Sequence, residues 1–374
     1  MGVVAMKLSP VLAGLPPYPF AQLRDTRERL AAAGVQVLDF GMGEPRERTP
    51  EFIRSALAAD PVAPYPVTGG LPELRAAIAR WVQRRFGVAI DPDQEVIPTL
   101  GTKEAIFAMA SIVGGELVAV PTPGYPVPDR GALFAGRSVL ELPLLAEHGF
   151  LPDLAAVPSD TWARVGLLWL NYPNNPTAAT ATLALFEQAA ALAREHDFLV
   201  CSDEAYSELY FGAEPPVSIL QVADRTNVLA LNTLSKRSAM PGYRSGFAAG
   251  DPAAIAALRR FRPNTGTVPQ DFVQRVSVLA WDDEAHVEDM RAIYRAKRDV
   301  LLPACEAAGL RHVGGDATMF LWLADPENHA AELLERGVLL APGDFFGAAG
   351  RGYARLALVP PLATCEQAAS IIRM

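Results

Sequence analysis

Phe198-Leu199-Val200-Cys201-Ser202-Asp203-Glu204-Ala205-Tyr206 is an apolar run that ends directly in two acids. A short apolar run without alternation is the pattern of a strand buried on both faces. Open α/β sheets bind ligands beyond the carboxyl ends of such strands. Asp203 therefore stands where a ligand would be met; the other use of an Asp here is as a helix N-cap.

Similar runs recur on both sides of it, at residues 117–120, 138–142, 165–170, 228–231 and 246–249. Helical patterns separate them, at residues 103–112, 182–196 and 252–261. Apolar strands alternating with helices predict an α/β fold with a mostly parallel central sheet flanked by crossover helices. Outside this block, residues 21–33 read as a helix. The Pro/Gly-rich stretch 262–269 reads as a linker, and one long helix is predicted over 270–308. Strands are predicted near 318–323, 338–341 and 353–358. The expected organisation is a large domain over 45–262 and a small α+β domain built from both termini, 1–44 and 263–374.

The chain has 374 residues and a formal net charge of −9. A nucleic-acid partner would call for a basic face, so none is expected. The longest uncharged run, residues 165–186, is long enough to span a membrane. It contains Asn171-Tyr172-Pro173-Asn174-Asn175-Pro176, which would strand polar groups in lipid, so no membrane segment is expected. The start, through Gly2 and Met6, matches neither a signal peptide nor a myristoylation site. Cys201, Cys305 and Cys365 are widely spaced, which predicts free thiols and a cytoplasmic, reducing setting. The five histidines show no metal-ligand spacing, so no metal is expected.

Lysine is scarce. Only Lys7, Lys103, Lys236 and Lys297 occur among the 33 basic residues, so arginine supplies 33 − 4 = 29. A lysine inside a motif is therefore read as present for its amine. Leu234-Ser235-Lys236 follows an apolar run and precedes Met240-Pro241-Gly242-Tyr243-Arg244-Ser245-Gly246. A Schiff-base lysine needs a partly desolvated amine at a sheet edge. Thr233, Ser235 and Arg244 suit a phosphate. Gly101-Thr102-Lys103, at a predicted helix start, can cradle a phosphate with backbone N–H groups. Asn175 can donate to a phenolate oxygen, or can simply serve its turn. Tyr125, in Pro123-Gly124-Tyr125-Pro126, can stack on a flat ring or pack within the turn. Arg355, set in Tyr353-Ala354-Arg355-Leu356-Ala357-Leu358, needs an anion; a substrate carboxylate or an internal ion pair would serve.

Taken in this order along one chain, these motifs resemble the class I and II aminotransferases of the fold-type-I pyridoxal 5'-phosphate (PLP) family, over essentially the whole length. The resemblance implies a fold-type-I architecture, with Lys236 holding PLP and moving the substrate Cα proton. It implies that Asp203 partners the pyridine nitrogen and that Asn175 and Tyr206 meet the phenolate oxygen. Tyr125 would stack on the ring. Gly101, Thr102, Lys103, Thr233, Ser235 and Arg244 would surround the phosphate. Arg355 would clamp the substrate α-carboxylate, helped by Asn175, with the Gly43 backbone close to substrate. Tyr65, in Tyr65-Pro66-Val67-Thr68-Gly69-Gly70, would reach the phosphate of a neighbouring subunit, which implies a homodimer with shared active sites.

Two positions depart from that pattern. Ala178 stands where Gly usually follows Asn-Pro-Thr, a change expected to cost little. Arg46-Glu47 replaces the usual Asp-Phe after Gly43-x-Pro45, and either Arg46 or Arg48 is a candidate for a distal substrate carboxylate. The stretches Leu100-Gly101-Thr102-Lys103-Glu104, Ala213-Glu214-Pro215-Pro216-Val217-Ser218 and Ala341-Pro342-Gly343-Asp344-Phe345-Phe346-Gly347 are similar to N-succinyldiaminopimelate aminotransferases. That likeness implies glutamate as amino donor and a place in diaminopimelate and lysine synthesis. Other amino-acid specificities (aspartate, alanine, aromatic), a PLP-dependent C–S lyase and a PLP-sensing regulator are the alternatives. The last would need a DNA-binding module for which no residues remain.

Overall fold

The computed structural model describes residues 6–60 and 64–374. Gly2 and the reading of the first five residues lie outside it.

The apolar runs form a seven-stranded sheet. Its spatial order is Val96–Thr99, Gly246–Gly250, Val228–Thr233, Leu199–Asp203, Val165–Asn171, Leu117–Thr122 and Ser138–Pro143. The last five are mutually parallel, whereas Gly246–Gly250 runs antiparallel to both of its neighbours. Every residue of Leu117–Thr122, Leu199–Asp203, Val228–Thr233 and Gly246–Gly250 is buried. Helices cover both faces, which is why these strands are legible as unbroken apolar runs. Val96–Thr99 was not among the expected strands. It carries Pro98, and it lies at the sheet edge, where a missing N–H is tolerated.

A four-stranded sheet orders Ala341–Pro342, Tyr353–Ala357, Phe320–Ala324 and Arg311–His312. Its apolar side packs with the helices Ala285–Ala307 and Leu362–Ile372 in a second core around Leu301, Cys305, Leu321, Leu356 and Cys365. A short parallel pair, Leu38–Asp39 with Val338–Leu339, ties the N-terminal segment to it. No helix among the described residues is long and apolar enough to cross a membrane. The three cysteines are buried free thiols.

The expected single helix over 270–308 is two helices, Asp271–Asp282 and Ala285–Ala307. Apolar periodicity runs through the break, so the pattern alone does not reveal it. The break comes from polar partners. Arg237, fully buried between Trp81 and Trp281, takes the carbonyls of Ala280 and Asp283 at the end of the first helix. Asp283 is extended, and its carboxylate accepts from the His286 N–H at 3.0 Å, satisfying one first-turn donor of the second helix. The first helix packs on Pro72–Phe86, with Trp81 and Trp281 ring centroids 4.7 Å apart. The stretch read as a linker begins with a fixed residue: Arg262 is buried, pairs with Glu104 at 3.1 Å and donates to Pro98 O at 2.6 Å.

Ala178 also differs from expectation. Its φ is +60°, the left-handed region that a Cβ disfavours. The substitution of the usual glycine therefore stores strain at this turn. Ala178→Gly is expected to raise stability by about 1 kcal/mol, read as a higher denaturant midpoint at unchanged slope; a lower midpoint would refute the strain.

Candidate active site

Three of the parallel strands bring a polar last residue to one place: Asn171, Asp203 and Thr233. The register sets Asn171 opposite Asp203 and Asp203 opposite Leu231. Asn171 Nδ2 donates to Asp203 O at 2.9 Å, and Asn171 Oδ1 accepts from Asn175 N at 3.0 Å. The neighbouring strand ends at Thr233, and the short helix Leu234–Arg237 presents Lys236. Beside them begins the helix Gly101–Ile112. The second sheet contributes Arg355 and Phe320, and the Gly41–Glu44 segment closes one wall. Together they enclose a cleft of about 520 Å³.

Lys236 is partly buried, and its Nζ donates to Gly43 O at 2.8 Å. Burial, then the Arg355 guanidinium, bring its amine down to about 8, with Glu44 and Asp203 pulling the other way. Asp203 is buried, and burial pushes its carboxyl up to about 7. The Ala205 N–H, the Thr102 hydroxyl and Lys236 oppose that rise. Its Oδ1 is buried without a hydrogen-bond partner. An orphaned carboxylate oxygen at a strand end fits a ring N–H donor, as a protonated pyridine would supply. Glu204 turns to the other face of the strand end and accepts from Ile219 N at 2.8 Å, outside the cleft.

Arg355 is buried, with Nη1 donating to Asn175 Oδ1 at 2.8 Å and Nη2 to Gly41 O at 2.7 Å. Its guanidinium lies over the Phe320 ring at 4.2 Å and the Phe346 ring at 4.6 Å. Burial brings its pKa down to about 10. Tyr206 meets Phe320 edge-on at 5.4 Å, and burial raises its hydroxyl pKa. Tyr125 lines the cleft and bonds to the Tyr18 hydroxyl; burial raises its pKa as well.

The phosphate end is built from one helix start and one turn. Gly101 has φ +69°, and a Cβ there would come within 2.9 Å of Arg244 Nη2. Only glycine lets the helix start lie against that guanidinium. Arg244 is anchored to Pro241 O at 2.8 Å and Leu100 O at 3.1 Å, leaving further N–H groups for an anion. Thr233 Oγ1 lies 2.7 Å from Ser245 O and 3.0 Å from Ser235 Oγ. Its one proton goes to the Ser245 carbonyl, so Ser235 has the freer hydroxyl. Thr102 and Lys103 complete this end. These donors fit a phosphate, and the orphaned Asp203 oxygen fits the opposite end of the same cofactor.

The structure thus brings Gly43, Thr102, Lys103, Tyr125, Asn175, Asp203, Tyr206, Thr233, Ser235, Lys236, Arg244 and Arg355 to one cleft, with Gly101 against it. Tyr65 is fully exposed and does not line this cleft. Arg46 differs from expectation. It pairs with Asp39 at 3.2 Å and lines an adjoining groove instead, because Asp39 is the nearer anion. Arg48 is exposed and outside the cleft. Sequence reasoning missed Tyr18 and Phe320, which arrive from distant elements and carry no local signal. Glu44 was visible in its motif but was given no role. Among the described residues no cluster of histidine, cysteine or carboxylate side chains could hold a metal.

Residues 35–372 match the family model for aminotransferase class I and II. Among curated proteins, an LL-diaminopimelate aminotransferase of Nitratidesulfovibrio vulgaris is 39% identical, covering 99% of both chains. One of Aquifex aeolicus is 38% identical, covering 96% of both. Among solved structures, a Thermus thermophilus aspartate aminotransferase mutant aligns with TM-score 0.89 at 30% identity, covering 99% of both chains. A probable N-succinyldiaminopimelate aminotransferase of Thermus thermophilus aligns with TM-score 0.85 at 33% identity, over 95% of this chain and 99% of that one.

Schiff-base capture requires the neutral amine. With Lys236 lowered to about 8, the rate of PLP capture by cofactor-free protein should rise with pH and level off above about 8, whereas an ordinary lysine would keep rising toward about 10.4. Stopped-flow absorbance would read this. Arg355→Leu should move the midpoint up and Glu44→Gln should move it down; a midpoint insensitive to both would contradict the electrostatics.

Proposed function

The chain belongs to the class I and II aminotransferases, which are PLP-dependent transaminases, and from that premise we propose that it transaminates a substrate with the 2,6-diaminopimelate skeleton, with glutamate and 2-oxoglutarate as the exchanging pair. The observation that carries this reading is the charge at the cleft mouth. Lys103 lines the cleft with its amine 5.1 Å from the Tyr18 ring, and no carboxylate pairs with it among the described residues. Burial and the Arg244 guanidinium lower its pKa. Glu44 lines the same cleft and is exposed. An ammonium and a carboxylate lining one cleft suit a distal carboxylate and a distal amine, the two groups at the far end of unmodified diaminopimelate. Glutamate shares the distal carboxylate. The names of the curated relatives agree with this reading.

Bound here, the cofactor supplies an electron sink for the pair left when the substrate Cα–H bond breaks. Lys236 is the group able to move that proton, because its lowered pKa of about 8 makes the neutral amine accessible at mildly alkaline pH. Arg355 would hold the α-carboxylate, fixing which Cα bond faces the lysine. Asp203, as an anion, would keep the ring nitrogen protonated. Tyr206 and Asn175 would donate near the ring oxygen. The same residues serve both half-reactions, so the donor and the acceptor must share the Arg355 and Lys103 contacts. Tyr65, fully exposed, supports a second copy of the chain whose phosphate it would reach. The buried free thiols are in keeping with a cytoplasmic setting.

The N-succinyl derivative is a second reading. A groove of about 530 Å³ bearing Arg24, Arg27 and Arg46 adjoins the cleft through Met42 and Glu44. A succinyl carboxylate is long enough to enter it, and the substituted amine would no longer need Glu44.

Purified PLP-loaded protein should transaminate glutamate and LL-diaminopimelate and lose all turnover as Lys236→Ala. Lys103→Gln should raise KM for both substrates about tenfold and leave that for alanine little changed. Turnover confined to neutral amino acids would discard the diaminopimelate reading; preference for the succinylated compound would select the second.

A further inference from the structure

The Gly41–Glu44 segment meets two cations of the cleft, Arg355 and Lys236, through backbone carbonyls. Gly41 O accepts from Arg355 Nη2 at 2.7 Å, and Gly43 O accepts from Lys236 Nζ at 2.8 Å. Where those oxygens lie therefore depends on what holds the backbone. Up to Phe40 the sheets hold it: Phe40 N donates to Leu339 O at 2.9 Å, and Ala357 N donates to Phe40 O at 2.8 Å. Beyond Phe40 a side chain takes over. Asp39 Oδ1 accepts from Gly41 N at 3.0 Å and from Met42 N at 3.3 Å. Asp39 Oδ2 is gripped by Arg27 at 3.4 Å and Arg46 at 3.2 Å. The carboxylate is 5% exposed, against 44% and 38% for the two arginines. Arg27 belongs to the helix Pro19–Ala32, whose N-cap Tyr18 lines the cleft.

We propose that Asp39 is a positioning residue of the active site, setting the carbonyls of Gly41 and Gly43 against Arg355 and Lys236 so that the guanidinium meets the substrate carboxylate in register. Asp39 touches neither substrate nor cofactor and acts through the segment it bonds. Arg46, where the family pattern has Asp, belongs to this arrangement. The proposal rests on membership of the aminotransferase family and not on the choice of substrate, so it stands or falls apart from the diaminopimelate reading.

Three variants of the PLP-loaded enzyme separate geometry from charge. Asp39→Asn keeps an acceptor for the two amides and loses the charge. Asp39→Glu keeps the charge and displaces the acceptor by a methylene. Asp39→Ala removes both. The readouts are KM and kcat taken separately with glutamate, the calorimetric Kd of succinate as a non-reacting dicarboxylate, and the melting temperature. Asp39→Ala and Asp39→Glu should raise KM and succinate Kd about tenfold with kcat changed by less than about threefold, and Asp39→Asn should stay within about threefold of wild type in both. A purely structural role would lower the melting temperature and leave succinate Kd unchanged in the folded protein, which overturns the proposal. Equal impairment of the Asn and Ala variants overturns it as well. Should Asp39→Ala fail to fold, the Asn and Glu pair decides alone.

Discussion

Lys236, Asp203 and Arg355 are ionisable groups withdrawn from water into one cleft, and burial disfavours the charged form of each. The lysine falls to about 8, the arginine to about 10, and the aspartate rises to about 7. All three shifts run toward neutrality. They do not cancel one another, because the groups are aimed at a shared space and not at each other. The rest of the site follows from this. A ring N–H would give Asp203 a donor and a substrate carboxylate would give Arg355 an anion, while a phosphate suits the exposed Arg244 beside them. Ligands that bring these groups would offset the burial of Asp203 and Arg355.

The sheet makes that concentration of charge possible. Parallel strands end on one edge, so Asn171, Asp203 and Thr233, the last residues of three of them, gather although they lie far apart in sequence. Strand geometry also separates Asp203 from Glu204. Successive side chains point to opposite faces, so one acid enters the cleft while the other accepts from Ile219 N beneath it. Arg355 comes from a different sheet, paired directly opposite Trp322. The cleft is therefore a seam between two sheets, and backbone at its rim, at Gly41 and Gly43, meets the cations of both sides.

Much of this was legible in the sequence, for a physical reason. Doubly buried strands must be apolar throughout, so their runs need no knowledge of partners. The residues at strand ends are then placed by topology alone. The scarcity of lysine also pointed to Lys236, though as a general rule it fails: Lys297 is buried in an ion pair with Glu47, where an arginine would have served as a charge. What stayed hidden depends on long-range polar contacts. The break at Asp283 follows from Arg237, some forty positions earlier. Arg46 was aimed at a substrate, but Asp39 claims it. Tyr18 enters the cleft from the N-terminal helix with no periodicity to announce it. The strain at Ala178 is invisible until its φ is known.

In the proposed reading one cleft accepts two substrates that share a distal carboxylate but differ in the group beside it. The positions of Lys103 and Glu44 make this tolerable. Lys103, which in the proposed reading meets the shared carboxylate, is exposed like Glu44, although partial burial and the Arg244 guanidinium lower its pKa. Glu44 would serve only the substrate with a distal amine, and it is exposed. An exposed carboxylate left without a partner stays hydrated at little cost, and pairing it gains correspondingly little. A buried Glu44 would have penalised glutamate by leaving a desolvated charge uncompensated in one half of every catalytic cycle. In that reading both distal contacts stay solvated, and the drier and stronger contact common to both substrates would be the one at buried Arg355.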